Sequence, residues 1–171
     1  MNDENVNSPD VLESDNGPDE TVIAIDVAEE SDAEPAGPVV AELTPVEDFE
    51  ALGLDERLLT AVKQIGWAKP TPVQALCLPL TTQGRDVAGF AQTGTGKTGV
   101  FLLTVAQKVL SAVDRKGNDP LAIVLAPTRE LGLQIESDAA TLFANLPVRS
   151  LAVFGGMDYE GQAKAIRAGV D

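Results

Sequence analysis

Eight residues, Ala91-Gln92-Thr93-Gly94-Thr95-Gly96-Lys97-Thr98, stand between the apolar run 86–90 and the helix-like run 99–110. A strand that enters a Gly-rich turn and leaves it as a helix aims successive backbone N–H groups, and the positive end of the helix dipole, at one point where phosphates can sit. The octet is therefore read as a phosphate-binding loop. Lys97 would reach the β- and γ-phosphates, and the Thr98 hydroxyl would ligate Mg²⁺, a hard ion that shares oxygen ligands with nucleotide and water. Lys97 and Thr98 are thus the candidate catalytic residues. Gln92, Thr93, Gly94, Thr95 and Gly96 form the rest of the candidate cofactor cradle. Ala91 departs from the strict pattern, which has glycine at this place.

Charge divides the chain in two. Residues 1–48 hold fifteen Asp and Glu, no Lys or Arg and no aromatic residue, whereas 49–171 hold twelve acidic and twelve basic residues. The whole net charge of −15 therefore belongs to the first segment. Such a segment has too little apolar surface to offset the entropy of ordering it, so 1–48 is expected to be a disordered acidic tail and 49–171 the folded domain. Its only apolar cluster, 21–27, is either a docking segment for a protein partner or merely a less polar stretch.

The first residues are acidic and lack a basic n-region and an apolar h-region, and no run of eighteen apolar residues occurs. Neither a secretory signal nor a membrane span is expected, which points to a soluble, cytoplasmic protein. The chain has one cysteine, Cys77, and no histidine. An internal disulfide, a zinc cluster and a His general base are excluded, and Cys77 is expected to be a small buried residue on an apolar helix face.

Within 49–171, Leu58, Leu59, Val62 and Ile65 have helical spacing behind the cap residue Asp55, with Gly66 as a stop. Thr71-Pro72 opens a second helix carrying Val73, Leu76 and Leu80, which Pro79 should kink or shorten. Strands are expected over 86–90, 121–126 and 149–154, and helices over 97–113, 129–144 and 159–168. Strands that alternate with helices imply an α/β fold with a doubly wound parallel sheet, whose ligands sit beyond the carboxyl ends of the strands. The loops at 91–98, 127–131 and 155–156 all follow strands and would share that edge.

Three further stretches carry a specific resemblance. Gly66-Trp67-Ala68-Lys69-Pro70-Thr71-Pro72-Val73-Gln74 resembles the Q motif of DEAD-box ATP-dependent RNA helicases, and Phe49 lies seventeen residues before Gly66, where that family has an isolated aromatic. Ala126-Pro127-Thr128-Arg129-Glu130-Leu131 is similar to the family's motif Ia, and Gly155-Gly156 to its GG motif. The resemblance implies a P-loop NTPase with a RecA-like sheet, using ATP and Mg²⁺. It implies that Gln74 hydrogen-bonds adenine, that Phe49 stacks on it, and that Trp67, Lys69 and Thr71 belong to the same cofactor site. Pro127, Thr128, Arg129, Gly155 and Gly156 would hold the RNA backbone, contacts that position a strand without reading its sequence.

Without the family, Gln74 is a polar residue on an amphipathic helix and Phe49 a core aromatic. Thr128 is then a helix cap, Arg129 a surface cation, and Gly155-Gly156 an ordinary turn. The resemblance covers about 49–171, and no Asp-Glu-x-Asp follows an apolar strand in the chain. It therefore implies an N-terminal fragment of a longer helicase with an incomplete sheet, exposed apolar edges and essentially no hydrolysis by itself. The alternatives are a non-catalytic protein that binds adenine nucleotide or a partner, and another RecA-type motor acting on DNA.

Overall fold

The computed structural model describes residues 22–24, 46–112, 117, 119–156 and 158–171. The expected disorder of the tail lies outside the described residues, except for a short strand β1, Val22–Ala24. A 3-10 turn over Phe49–Leu52 leads into helix α1, Glu56–Gln64, and then α2, Pro72–Thr81. Strand β2, Ala88–Phe90, enters the glycine-rich loop, which ends in α3, Lys97–Ser111. Helices α4, Arg129–Phe143, and α5, Tyr159–Ala168, complete the chain.

Local chemistry sets the helix ends. The Asp55 carboxylate accepts from the Arg57 backbone N–H at 2.9 Å, which caps α1. Gly66, at φ 81°, turns the chain so that the Trp67 N–H reaches the Val62 carbonyl at 3.1 Å. At α2 the Thr71 hydroxyl accepts from the Gln74 N–H at 3.4 Å while Gln74 Oε1 accepts from the Thr71 N–H at 3.0 Å, a reciprocal capping box. Pro72 occupies the first turn, and α2 ends two residues past Pro79.

The Asp55 cap also has a pH signature. Hydrogen bonds from the Arg57 side chain and then its backbone N–H hold the Asp55 carboxyl down at about 2. A folded-state value below the unfolded one gives stability that is present above the ordinary carboxylate range and lost as pH falls through about 2. Asp55→Asn keeps a good cap but removes the charge, so the melting temperature of this variant should fall less between pH 4 and pH 2. Parallel acid-melting profiles of the two chains check this.

The core is built by helices. Leu58 of α1, Leu78 of α2, Leu103 of α3 and Leu142 of α4 are all fully buried. Each such side chain contributes about 1.5–3 kcal/mol on burial. The α2–α3 contact also has a polar link, Thr81 Oγ1 to Thr104 Oγ1 at 2.7 Å. Cys77 is buried beside these leucines, and burial pushes its thiol pKa up, as expected of an inert core residue.

The parallel sheet is where expectation and structure part. Among the described residues the only strand pairing is β1 with β2, and it is antiparallel. Residues 121–126 and 149–154 carry no ladder; Leu121 and Ala122 N–H donate to the Asp171 carbonyl, Asp171 N–H donates to the Arg149 carbonyl, and Ser150 Oγ donates to Glu136 Oε1 at 3.1 Å. An apolar run predicts burial, but a strand also needs a hydrogen-bonded neighbour. Here the two segments instead face a shared cavity of about 700 Å³. Ile123 and Leu125 are left 82% and 88% exposed, where an apolar run of this length leads one to expect a strand covered on both faces.

Candidate functional site

The phosphate loop joins β2 to α3, and two of its glycines hold backbone that a side chain would strain. Gly94 and Gly96 have φ of 83° and 95°. The Thr95 hydroxyl donates to the Gln92 carbonyl at 2.8 Å and closes the turn. Lys97 folds back over the loop, its Nζ donating to the Ala91 carbonyl and to the Gln92 carbonyl, the latter at 2.6 Å. The ammonium therefore lies at the loop's own mouth, held by carbonyls of the loop itself. Thr98 is half-buried in the first turn of α3, and Thr93 is exposed at the loop surface.

Gln74 ties this loop to α2. Its side chain is buried, and Nε2 donates to the Gly96 carbonyl at 3.2 Å. A Cβ on Gly96 would come within 2.8 Å of Thr71 Oγ1, so this glycine is needed for close approach as well as for its φ. Gly99, in the first turn of α3, likewise leaves room for Gln74 Nε2 and the Trp67 ring. Trp67, Thr71, Gln74, Gly96 and Lys97 thus converge at the α3 N-terminus. Gly99 is a member of this group that motif reading missed, because the reason for its small size is a contact with residues far off in sequence.

Phe49 reaches the group through Trp67, its ring stacked at 6.4 Å between centroids and 23° between planes. It is only 3% exposed, so both its faces are committed to packing here. A small hollow of about 190 Å³ lies beside this ring pair, floored by Leu59 and Val62 and edged by Glu50 and Lys63. The Glu50–Lys63 ion pair, at 2.8 Å, pins the 3-10 turn to α1. Lys69 is exposed in the α1–α2 connection and is not drawn into the group.

A second group borders the larger cavity. Pro127, Thr128 and Arg129 line one side and Val153, Phe154 and Gly155 the other, with Gly156 next in the turn at φ 75°. The Thr128 hydroxyl accepts from the Leu131 N–H at 3.2 Å, so it does cap α4. The Arg129 guanidinium lies 5.3 Å from the Phe154 ring centroid, a cation–π contact across the cavity. Gln162 of α5 clasps the Phe154 backbone, accepting from its N–H at 2.8 Å and donating to its carbonyl at 3.3 Å. This clasp fixes the start of the Gly155-Gly156 turn. Nothing in the spacing of Gln162 from Phe154 marks it, since the bond runs from a helix back to a loop.

Among the described residues no three His, Cys, Asp or Glu side chains form a metal-binding group. Mg²⁺ held here would depend on the Thr98 hydroxyl together with phosphate and water oxygens. No helix of the described residues is long and apolar enough to cross a membrane.

Known proteins similar to this chain are numerous. The ATP-dependent RNA helicase RhlB of Xanthomonas axonopodis pv. citri is 45% identical over 126 residues, which cover 72% of this chain and 22% of that protein. RhlB of Serratia proteamaculans is 46% identical over 126 residues, covering 72% of this chain and 29% of its own length. The chain therefore spans less than a third of these relatives. Among solved structures, the RNA helicase Prp28 from Chaetomium thermophilum bound to ADP superposes with a TM-score of 0.66 at 40% identity, covering 75% of this chain and 32% of that one. A DEAD box protein from Methanococcus jannaschii superposes with a TM-score of 0.62 at 27% identity, covering 74% of this chain and 34% of that one. These likenesses place the phosphate loop in a RecA-like P-loop NTPase fold. The DEAD/DEAH box helicase family matches residues 71–171, more than half of the sequence, and the chain belongs to that family.

Proposed function

We propose that this chain supplies the nucleotide-binding half-site of an ATP-dependent RNA helicase, in which ATP binding and hydrolysis are coupled to local RNA unwinding. The observation that carries the reading is the bond from Gln74 Nε2 to the Gly96 carbonyl. It links the residue proposed to sense adenine directly to the loop proposed to hold the phosphates. Lys97 neutralises the β- and γ-phosphates, the Thr98 hydroxyl joins the oxygen shell of a bound Mg²⁺, and Trp67, Thr71 and Gln74 form the wall on the base side. Phe49 supports that wall through Trp67, and its role as the surface on which adenine stacks requires the ring pair to open. Bound Mg²⁺ would offset charge that builds on the phosphates.

The cavity between 127–129 and 153–156 takes the RNA backbone in this reading. Arg129 supplies the cation and the paired glycines allow close approach of backbone to backbone. Residues 49–171 carry no net charge, so binding by this chain alone should be weak and only mildly salt-dependent. Titration of the chain with ADP, ATP and GTP, followed by single-stranded RNA in the presence of nucleotide, tests the reading. Adenine-selective binding that strengthens RNA affinity supports it. Nucleotide binding without any RNA affinity would instead favour a non-catalytic nucleotide-binding protein.

Arg129→Ala separates the two halves of the proposal. It should weaken RNA binding about three- to tenfold and reduce the salt slope by ~0.7, the value for one lost contact to single-stranded phosphate, while ADP affinity stays unchanged. RNA affinity that survives this substitution would remove the 127–131 loop from the RNA site.

A further inference from the structure

Phe154 is the last residue before the Gly155-Gly156 turn, and two separate holds fix it. One is on its backbone. Gln162 of α5 accepts from the Phe154 N–H at 2.8 Å, and its Nε2 donates both to the Phe154 carbonyl at 3.3 Å and to the Asp158 carbonyl at 3.2 Å. A primary amide offers a strand residue the same N–H and C=O that a neighbouring strand would offer. This one side chain therefore grips the turn at both ends, at Phe154 before the glycines and at Asp158 after them.

The other hold is on the ring. Arg129 and Gly132 stand three residues apart in α4, so they share one face of that helix. Gly132 has no side chain, and the Phe154 ring takes the place: a Cβ there would come within 3.1 Å of Phe154 Cε1. Seated against α4 in this way, the ring lies under the Arg129 guanidinium, 5.3 Å from its centroid. An aromatic face attracts a guanidinium without accepting a hydrogen bond from it. Phe154 thus joins the loop after 121–126 to the turn after 149–154. A long cation and a glycine turn both lose freedom when a ligand orders them, and groups ordered before binding lose less.

We propose that Gln162 and Phe154 are positioning residues of the RNA-backbone site: Gln162 fixes the Phe154 backbone, so that the Phe154 ring orders Arg129 and the Gly155-Gly156 turn is ordered with it as one unit. The positioning rests on the RNA-site reading above, whereas the clasp does not. Two substitutions in the full chain act on one hold each. Gln162→Met keeps the length and the helix propensity of the side chain and removes its amide. Phe154→Leu keeps an apolar side chain and the backbone clasp and removes the ring face.

Hydrogen exchange at the Phe154 N–H reads the clasp. Binding of a single-stranded oligouridylate at low salt reads the site, each variant being measured with and without Arg129→Ala. The methionine variant should exchange the Phe154 N–H faster, keep its melting temperature and bind the oligouridylate about three- to tenfold more weakly. The leucine variant should keep slow exchange and lose about two- to fivefold. Because both act through Arg129, adding Arg129→Ala should cost the leucine variant no more than Arg129→Ala costs alone, and the methionine variant less than the two single losses multiplied. Residues that merely support the fold would give losses that multiply. Unchanged exchange in the methionine variant overturns the clasp. Faster exchange with native affinity, or losses that multiply with that of Arg129→Ala, overturns the positioning. If the native chain does not bind the oligouridylate, or Arg129→Ala leaves binding at the native level, the RNA-site reading falls and the positioning falls with it, while exchange alone still decides the clasp.

Discussion

Lys97→Ala is expected to lower the affinity of the chain for ADP and ATP by about one to two orders of magnitude while leaving its melting temperature almost unchanged. Among the described residues, the ammonium is the cation that the structure ties to the loop itself, through the carbonyls of Ala91 and Gln92. Moving it from those neutral acceptors to phosphate oxygens gains a charge-assisted bond, worth about 1.5–3 kcal/mol, or roughly ten- to over a hundredfold in binding. The carbonyl bonds must break first, so the net gain is smaller than the gross one. Folding should hardly notice, since Gln92, Thr93 and Gly94 are exposed, Lys97 is only half-buried, and the freed carbonyls can take water. Changes at such places stay within about 0.5 kcal/mol. Lys97→Arg should not rescue binding, because a planar guanidinium on a longer stem does not fit a cradle shaped for a point charge. Calorimetric titration with ADP beside a thermal melt measures both quantities. Full ADP affinity in the alanine variant would show that the phosphates bind elsewhere.

What could be read from the sequence was what is local in the chain. The starts of α1, α2 and α4 follow from Asp55, from Thr71-Pro72 with Gln74, and from Thr128, because a cap is a bond across two or three residues. The glycines of the phosphate loop were legible for a similar reason, as positive φ is a property of single residues. Pairing was not legible. The run 121–126 is apolar enough for a buried strand, yet whether it becomes one depends on a neighbour that its own residues do not specify. The same limit hid the clasp of Gln162 on Phe154, the space that Gly99 leaves for Gln74 and the seating of β1 on β2. Phe49 shows an intermediate case. Its distance to Gly66 drew attention to it only through the family resemblance, and its burial against Trp67 was not legible.

Gln74→Ala should be the most costly single change at the site for the fold, and it should also blur the choice between ATP and GTP. The side chain is 3% exposed and makes two bonds of its own, accepting from Thr71 N–H and donating to the Gly96 carbonyl. Truncation leaves both of those backbone groups short of a partner and opens a small cavity between α2 and α3. Two lost bonds and the cavity together cost about 2–3 kcal/mol, which lowers the melting temperature by roughly 5–10 °C. An amide side chain offers two N–H groups and two lone pairs, and the two bonds seen here use one of each. The remaining N–H and lone pair are the complement of adenine N7 and N6; guanine shares the N7 acceptor, so its mismatch lies at O6, which sets oxygen against the Gln74 lone pair. Gln74→Glu divides stability from selection. It retains an acceptor for Thr71 N–H but sets an oxygen against the Gly96 carbonyl, so it can no longer donate to the loop or to N7. The glutamate variant should therefore bind both nucleotides more weakly than the native chain, yet keep more of the preference for ATP than the alanine variant, because its free oxygen still accepts from adenine N6 and opposes guanine O6. Competitive titration of ATP against GTP in both variants checks this, and a glutamate variant that chose between ATP and GTP no better than the alanine variant would assign base selection to another residue.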